Sequence, residues 1–188
     1  MGLLGVVLCG GKSSRMGKDK GLLTNGQQTW AEKQKNLLQP FCDKVLVSIR
    51  TGQFSQYSRV FHKDILIFDE ISAVSGPARG ILTIHKAYPE QDLLVLACDI
   101  QNIQTRDLDI LVQTYKGNPS SIFTGFNSPR GIEPMAGIYS AKGLTLMHQD
   151  NDINKGLYRF IQNSGSVLID SDNDNLLNFN TPDSLEIL

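Results

Sequence analysis

Apolar residues along this chain come in short runs separated by longer mixed stretches. Leu3–Leu8, LLGVVL, is a six-residue run that ends at Cys9-Gly10-Gly11 and reads as a buried β-strand. Residues 44–50, KVLVSIR, and 65–68, ILIF, read as two more strands, the latter ending at Asp69. Residues 93–97, LLVLA, are apolar at every position and stop at Cys98-Asp99. Unbroken apolarity predicts a strand covered on both faces, as in a parallel sheet between helices. Between these runs, Thr29-Trp30-Ala31-Glu32 matches a capping box, so a helix is predicted from Trp30, with Pro40 marking its end. Pro77, after Ser75-Gly76, takes the favoured first position of another helix. A helix is expected from about Arg106, and strands near 122–126, 135–139 and 167–169. Helical segments are expected near 143–148 and 157–162, and Thr181-Pro182 can open a short last helix. This alternation predicts an α/β fold over residues 1–188: a Rossmann-like, doubly wound, mostly parallel sheet with helices on both faces. In such a sheet, ligands bind beyond the carboxyl ends of the strands. Gly10-Gly11, Asp69 and Asp99 each follow a strand, so all three are expected on one edge.

A length of 188 residues suits one domain with a substantial core. A charged content of 20% and a formal net charge of −1 leave no global basic field, which argues against a nucleic-acid partner. No run is long enough to span a membrane or to serve as a signal peptide. Cys9, Cys42 and Cys98 form no C-x-x-C pair and are odd in number. That pattern fits a reducing compartment, and the protein is expected to be cytoplasmic. The histidines, His62, His85 and His148, sit in no catalytic spacing.

Positive charge is instead concentrated after the first strand, in Lys12, Arg15, Lys18 and Lys20. Glycines there let main-chain N–H groups approach an anion, and the cations add to that attraction. The expected guest is a polyphosphate. The loop is not a Walker loop, G-x-x-x-x-G-K-S/T. Five residues separate Gly11 from Gly17, and Lys18-Asp19 follows. Nor does it fit G-x-G-x-x-G, because its first two glycines are adjacent.

The run LCGGKSSRMGKDK, residues 8–20, resembles the signature L-x-G-G-x-S-x-R-M-G-x-D-K of small nucleotidyltransferases. The nearest resemblance is to the molybdenum cofactor guanylyltransferases. It is dense over residues 5–23, moderate near 69–80 and 94–99, and thin from 120 to 175. It implies that Leu8, Cys9, Gly10 and Gly11 contact base and phosphate through main-chain groups. Lys20 would place an ammonium on the phosphates, and Arg15 would either bind them bidentately or brace the loop. Asp99 aligns with the metal-binding Asp of the family, and Mg²⁺ suits a single carboxylate completed by phosphate and water oxygens. Asp69 would accept hydrogen bonds from the guanine edge, bind ribose hydroxyls or sit near the metal. Ser48 stands at a nucleotide-contacting position often held by Asn, and Cys9 where Ala is usual. Asp99-Ile100-Gln101-Asn102 lacks the Pro that often follows the metal Asp. Gly76-Pro77-Ala78-Arg79-Gly80 matches a G-P-x-x-G segment. Arg130, Lys155, Arg159 and Asn180, the last within N-x-N-T-P-D, are candidates for the acceptor side.

The resemblance implies transfer of GMP from GTP to the phosphate of molybdenum-molybdopterin, with release of pyrophosphate and transient contact with molybdoenzymes or their chaperones. An acceptor phosphate is already anionic near neutrality, so no general base is required. Two other readings stay open: a transferase that uses CTP with another phosphorylated acceptor, of cofactor, sugar or isoprenoid type, and a nucleotide-binding sensor that performs no chemistry.

Overall fold

The computed structural model describes residues 2–10, 19–70 and 73–171. Its elements in chain order are β1 (Leu3–Leu8), a small antiparallel hairpin of β2 (Thr24–Asn25) and β3 (Gln28–Thr29), and α1 (Trp30–Leu38). Then come β4 (Cys42–Ile49), α2 (Phe54–Tyr57), β5 (Leu66–Phe68), α3 (Pro77–Ala87), β6 (Leu93–Ala97) and α4 (Thr105–Gly117). The last are β7 (Phe123–Ser128), β8 (Gly131–Tyr139), α5 (Ala141–Gln149), α6 (Leu157–Gln162) and β9 (Ser166–Asp170). Seven strands form one sheet in the order β5-β4-β1-β6-β8-β7-β9. β5, β4, β1 and β6 run parallel, β8 is antiparallel to both its neighbours, and β9 pairs parallel with β7. The sheet is therefore mostly parallel, as the apolar runs predict, with one reversed strand.

Alternate residues of the central strands face opposite layers. Leu94 and Leu96 pack with Ala31, Leu38, Tyr57, Leu108 and Leu111, which puts α1, α2 and α4 on one face. Leu93 and Val95 pack with Ile81, Ile84, Leu144, Met147 and Phe160, which puts α3, α5 and α6 on the other. This two-sided burial is why β6 shows no polar alternation. The helix starts follow local chemistry. Thr29 Oγ1 accepts from Glu32 N at 3.2 Å while Thr29 N donates to Glu32 Oε2 at 2.8 Å, the reciprocal capping pair that starts α1. Gly76, at φ 66°, turns the chain into α3 and Pro77 opens it.

The register brings the strand ends level. Leu8 pairs with Ser48 on one side and Ala97 on the other, and Ile49 pairs with Phe68. The ladder continues one residue past the strands: Cys9 N donates to Ser48 O at 2.9 Å, Cys98 N to Leu8 O at 3.1 Å, and Asp69 N to Ile49 O at 2.9 Å.

Candidate active site

These level strand ends floor a cavity of about 630 Å³. Leu8 at the end of β1 and Cys9 and Gly10 just after it, Ser48 in β4 and Arg50 just after it, and Asp69 and Asp99 after β5 and β6 all line it. Lys20 and the 75–80 segment complete much of the wall. Gly10, Asp69 and Asp99 therefore share the one edge expected of them. Gly11, Arg15 and Asn180 lie outside the described residues, as do Lys12 and Lys18. Arg130 is exposed beyond the end of β7, and Lys155 is turned to Asp152 at 2.9 Å. Arg159 reaches the same carboxylate at 2.8 Å. None of these three is among the residues that line the cavity. Each makes sense as a surface cation, because a neighbour on its own segment or the solvent already satisfies it.

At one end of the cavity Lys20 Nζ donates to Asp99 Oδ2 at 2.8 Å, and both side chains are 14% exposed. A pair this shielded gains more from attraction than a solvated one, and its two charges hold each other in place. The turn that carries Asp99 is itself pinned. Gln101, buried, donates its amide to Cys98 O at 2.6 Å. Two side chains of α1 reach the same turn: Gln34 donates to Ile100 O at 2.9 Å and Lys33 to Gln101 O at 2.6 Å. The glutamine thus closes the turn without the proline common in similar sequences. Burial lowers the pKa of Lys33.

At the other end Ser48 Oγ donates to Asp69 Oδ1 at 2.5 Å. Close packing brings this pair to the loop and to α3. A methyl group on Gly10 would collide with Asp69 Oδ2, and one on Gly80 would stand 2.5 Å from Ser48 Oγ and 3.0 Å from Asp69 Oδ1. Burial pushes the Asp69 pKa up, against the opposing pull of the Ser48 hydrogen bond and of the Arg79 and Arg50 guanidinium groups. Arg79 is oriented by donating Nε to Val74 O at 2.7 Å. Cys9 and Cys98 are buried free thiols on neighbouring strand ends. The hydrogen bond that the Cys98 thiol donates to Cys9, together with burial, raises the Cys98 pKa, so that thiol stays protonated.

Arg50, Cys98 and Met135 line the cavity without any signal in the sequence that singled them out. Gln53 and Tyr57 were also missed. They lie behind the cavity wall and both bond Asp19, within the G-K-D-K end of the loop. The available clue was Asp19 itself, a carboxylate among cations with no assigned partner.

The arrangement offers a shielded cation–carboxylate pair for a polyphosphate and, across the cavity, a carboxylate that accepts donors. Among the described residues no three His, Cys, Asp or Glu side chains are grouped to hold a metal. Those residues by themselves therefore build no site made wholly of protein ligands. Asp99 alone fits the mode in which a hard divalent cation takes one carboxylate and draws its other oxygens from phosphate and water.

The description "MobA-like NTP transferase domain" matches residues 5–167. The chain belongs to that family. Among relatives of the MobA-like domain, a molybdenum cofactor biosynthesis bifunctional protein of Synechocystis is 32% identical over 187 residues, covering 96% of this chain and 52% of the relative. The chain thus spans about half the length of that bifunctional protein. A probable molybdenum cofactor guanylyltransferase of Flavobacterium johnsoniae is 28% identical, with 97% of this chain and 94% of the relative covered. Among solved structures, molybdopterin-guanine dinucleotide biosynthesis protein A of Archaeoglobus fulgidus superposes with a TM-score of 0.77, covering 98% of this chain and 96% of that one. At 17% identity this last likeness bears on the fold alone. The MobA-like fold agrees with the predicted sheet class. No helix among the described residues is long and apolar enough to cross a membrane.

Proposed function

We propose that this protein is a cytoplasmic guanylyltransferase that moves GMP from GTP to the phosphate of molybdenum-molybdopterin, making the guanine dinucleotide form of the cofactor and pyrophosphate. The observation that carries the reading is the shielded Lys20–Asp99 pair at 2.8 Å, set on the same cavity as the Ser48–Asp69 pair. The Asp69 carboxylate accepts from guanine N1–H and N2–H₂, with Ser48 fixing its plane. Main-chain groups of Leu8, Cys9 and Gly10 line the path from base to phosphates. Lys20 neutralises charge on the triphosphate and orients it. Asp99 is the residue that would hold Mg²⁺, which when bound draws charge from the phosphate oxygens. An oxygen of the acceptor phosphate attacks the α-phosphorus in line. The bond from the α-phosphorus to the bridging oxygen of the β-phosphate breaks, and pyrophosphate leaves with that electron pair. The attacking group is already anionic, so the absence of histidine from the cavity lining costs the reaction nothing. Molybdoenzymes or their chaperones would receive the product by transient contact.

The test is pyrophosphate release with Mg²⁺ and molybdenum-loaded molybdopterin, comparing GTP, ATP, CTP and UTP. Release with GTP in clear preference to the other three is expected. A preference for CTP would reassign the base, and no release with any nucleotide would point to a sensor.

A further inference from the structure

Gln53 touches the chain on both sides of the glycine-led loop. Its side-chain nitrogen carries two hydrogens. One goes to the Cys9 carbonyl at 3.0 Å, where the chain leaves β1, and the other to Asp19 Oδ2, where it returns. The side-chain oxygen of Gln53 accepts from Arg50 N at 2.7 Å, so every polar atom of this buried side chain is in use. One turn later Tyr57, fully buried, donates its hydroxyl to Asp19 Oδ1 at 2.8 Å. Burial drives the Tyr57 pKa upward, so the phenol keeps the proton it donates. Asp19 Oδ1 also accepts from Gly21 N at 3.1 Å, which caps the turn of Lys20–Leu22.

Asp19 therefore receives three donors, two on Oδ1 and one on Oδ2. A carboxylate engaged in this way anchors the segments that donate to it. The next residue is Lys20, whose ammonium meets Asp99 79 residues away in sequence. The fit is close: a methyl group on Gly21 would collide with the Tyr57 hydroxyl. Two of the partners are the Cys9 carbonyl and the Asp19 carboxylate. Both lie at the ends of the segment that carries the loop's positive charge.

We propose that Gln53 and Tyr57 are positioning residues for nucleotidyl transfer: by holding Asp19 and the Cys9 carbonyl together they set the reach of Lys20 to the phosphates. This rests on the function proposed above. Neither residue is placed against substrate, so their effect must pass through Lys20.

That requirement supplies the test. Gln53→Glu keeps the shape but replaces the shared donor with an acceptor beside Asp19, and Tyr57→Phe keeps the ring and removes the hydroxyl. Each is measured alone and combined with Lys20→Ala, recording kcat, KM for GTP and the thermal midpoint. Each single variant should lower kcat/KM by roughly tenfold or more, the size expected for losing a hydrogen bond to a charged group. In the Lys20→Ala background the further loss should nearly vanish. Equal fold-losses in both backgrounds, or single variants with unchanged kcat/KM, would overturn the proposal. If Gln53→Glu does not fold, Tyr57→Phe decides. If the wild-type protein transfers no nucleotide, the functional reading fails separately. The same cycle read as GTP affinity by calorimetry then judges the positioning, with additivity overturning it and non-additivity upholding it.

Discussion

At Asp69, burial and neighbouring groups pull one side chain's protonation in opposite directions. Its carboxyl sits where desolvation favours the neutral form, while Ser48, Arg79 and Arg50 favour the charged one, and burial prevails. The charged form is the one that can accept two donors from a guanine edge. If Asp69 holds the guanine as proposed, the sign follows: GTP binding should be strong above the raised pKa of Asp69 and should weaken as pH falls through it, above the ordinary carboxylate value of 3.8. KM for GTP measured against pH should therefore show an acid limb. Asp69→Asn should flatten that limb and weaken GTP binding by about tenfold or more, since an amide turns one acceptor into a donor. An acid limb unchanged in the variant would assign the titration elsewhere. The position of Asp69 after an apolar run was plain from the sequence. Its contact with Ser48 was not, because the two are 21 residues apart and meet only when β4 and β5 pair in register.

Among the elements, β6 bears most directly on both stability and the site. It lies between β1 and β8, its five residues are all buried, and its last residue precedes Cys98-Asp99. Leu94 faces the α1, α2 and α4 layer and is fully buried. Leu94→Ala should destabilise the fold by about 2–5 kcal/mol, the range for a large-to-small change in a packed core, read as a lower urea midpoint at unchanged slope. A cost below about 1 kcal/mol would mean that this layer is loosely packed. Elements of this kind were legible because their signals are local: unbroken apolarity in β6, a reciprocal cap at Thr29 and Glu32, a proline opening α3. α2 was missed because four residues are too few to show a helical period. The reversal of β8 was hidden for a different reason. β8 begins at Gly131, four residues before the expected strand, and residues 131–135 are only half-buried. With that part read as connection, the two-residue turn from β7, which forces an antiparallel hairpin, could not be seen.

For the molecule as a whole, the site is a product of topology. Cys9, Asp69 and Cys98 are distant in sequence, yet each donates its backbone N–H to the strand beside it, and together they bring Gly10, Asp69 and Asp99 to one cavity. That convergence was predictable, because parallel strands in a doubly wound sheet end at a common edge. The support behind the cavity was not. Gln53 and Tyr57 work through Asp19 from a segment whose sequence carries no distinctive motif, and Gln101 replaces by hydrogen bonding what a proline would do by covalent restraint. Arg130 and Lys155 lie outside the lining of this cavity, which the sequence could not show, since it cannot tell a cation beside a surface carboxylate, as Lys155 is, from one beside a ligand. The claim that joins these observations is that a single carboxylate, Asp99, held by Lys20 at the meeting of the strand ends, makes the nucleotide reactive. The most direct measurement is the Mg²⁺-dependent rate of pyrophosphate release from GTP by Asp99→Asn, alongside its affinity for GTP. Turnover should fall by roughly a hundredfold or more while GTP still binds. Turnover at the wild-type rate, with the same dependence on Mg²⁺, would contradict the account.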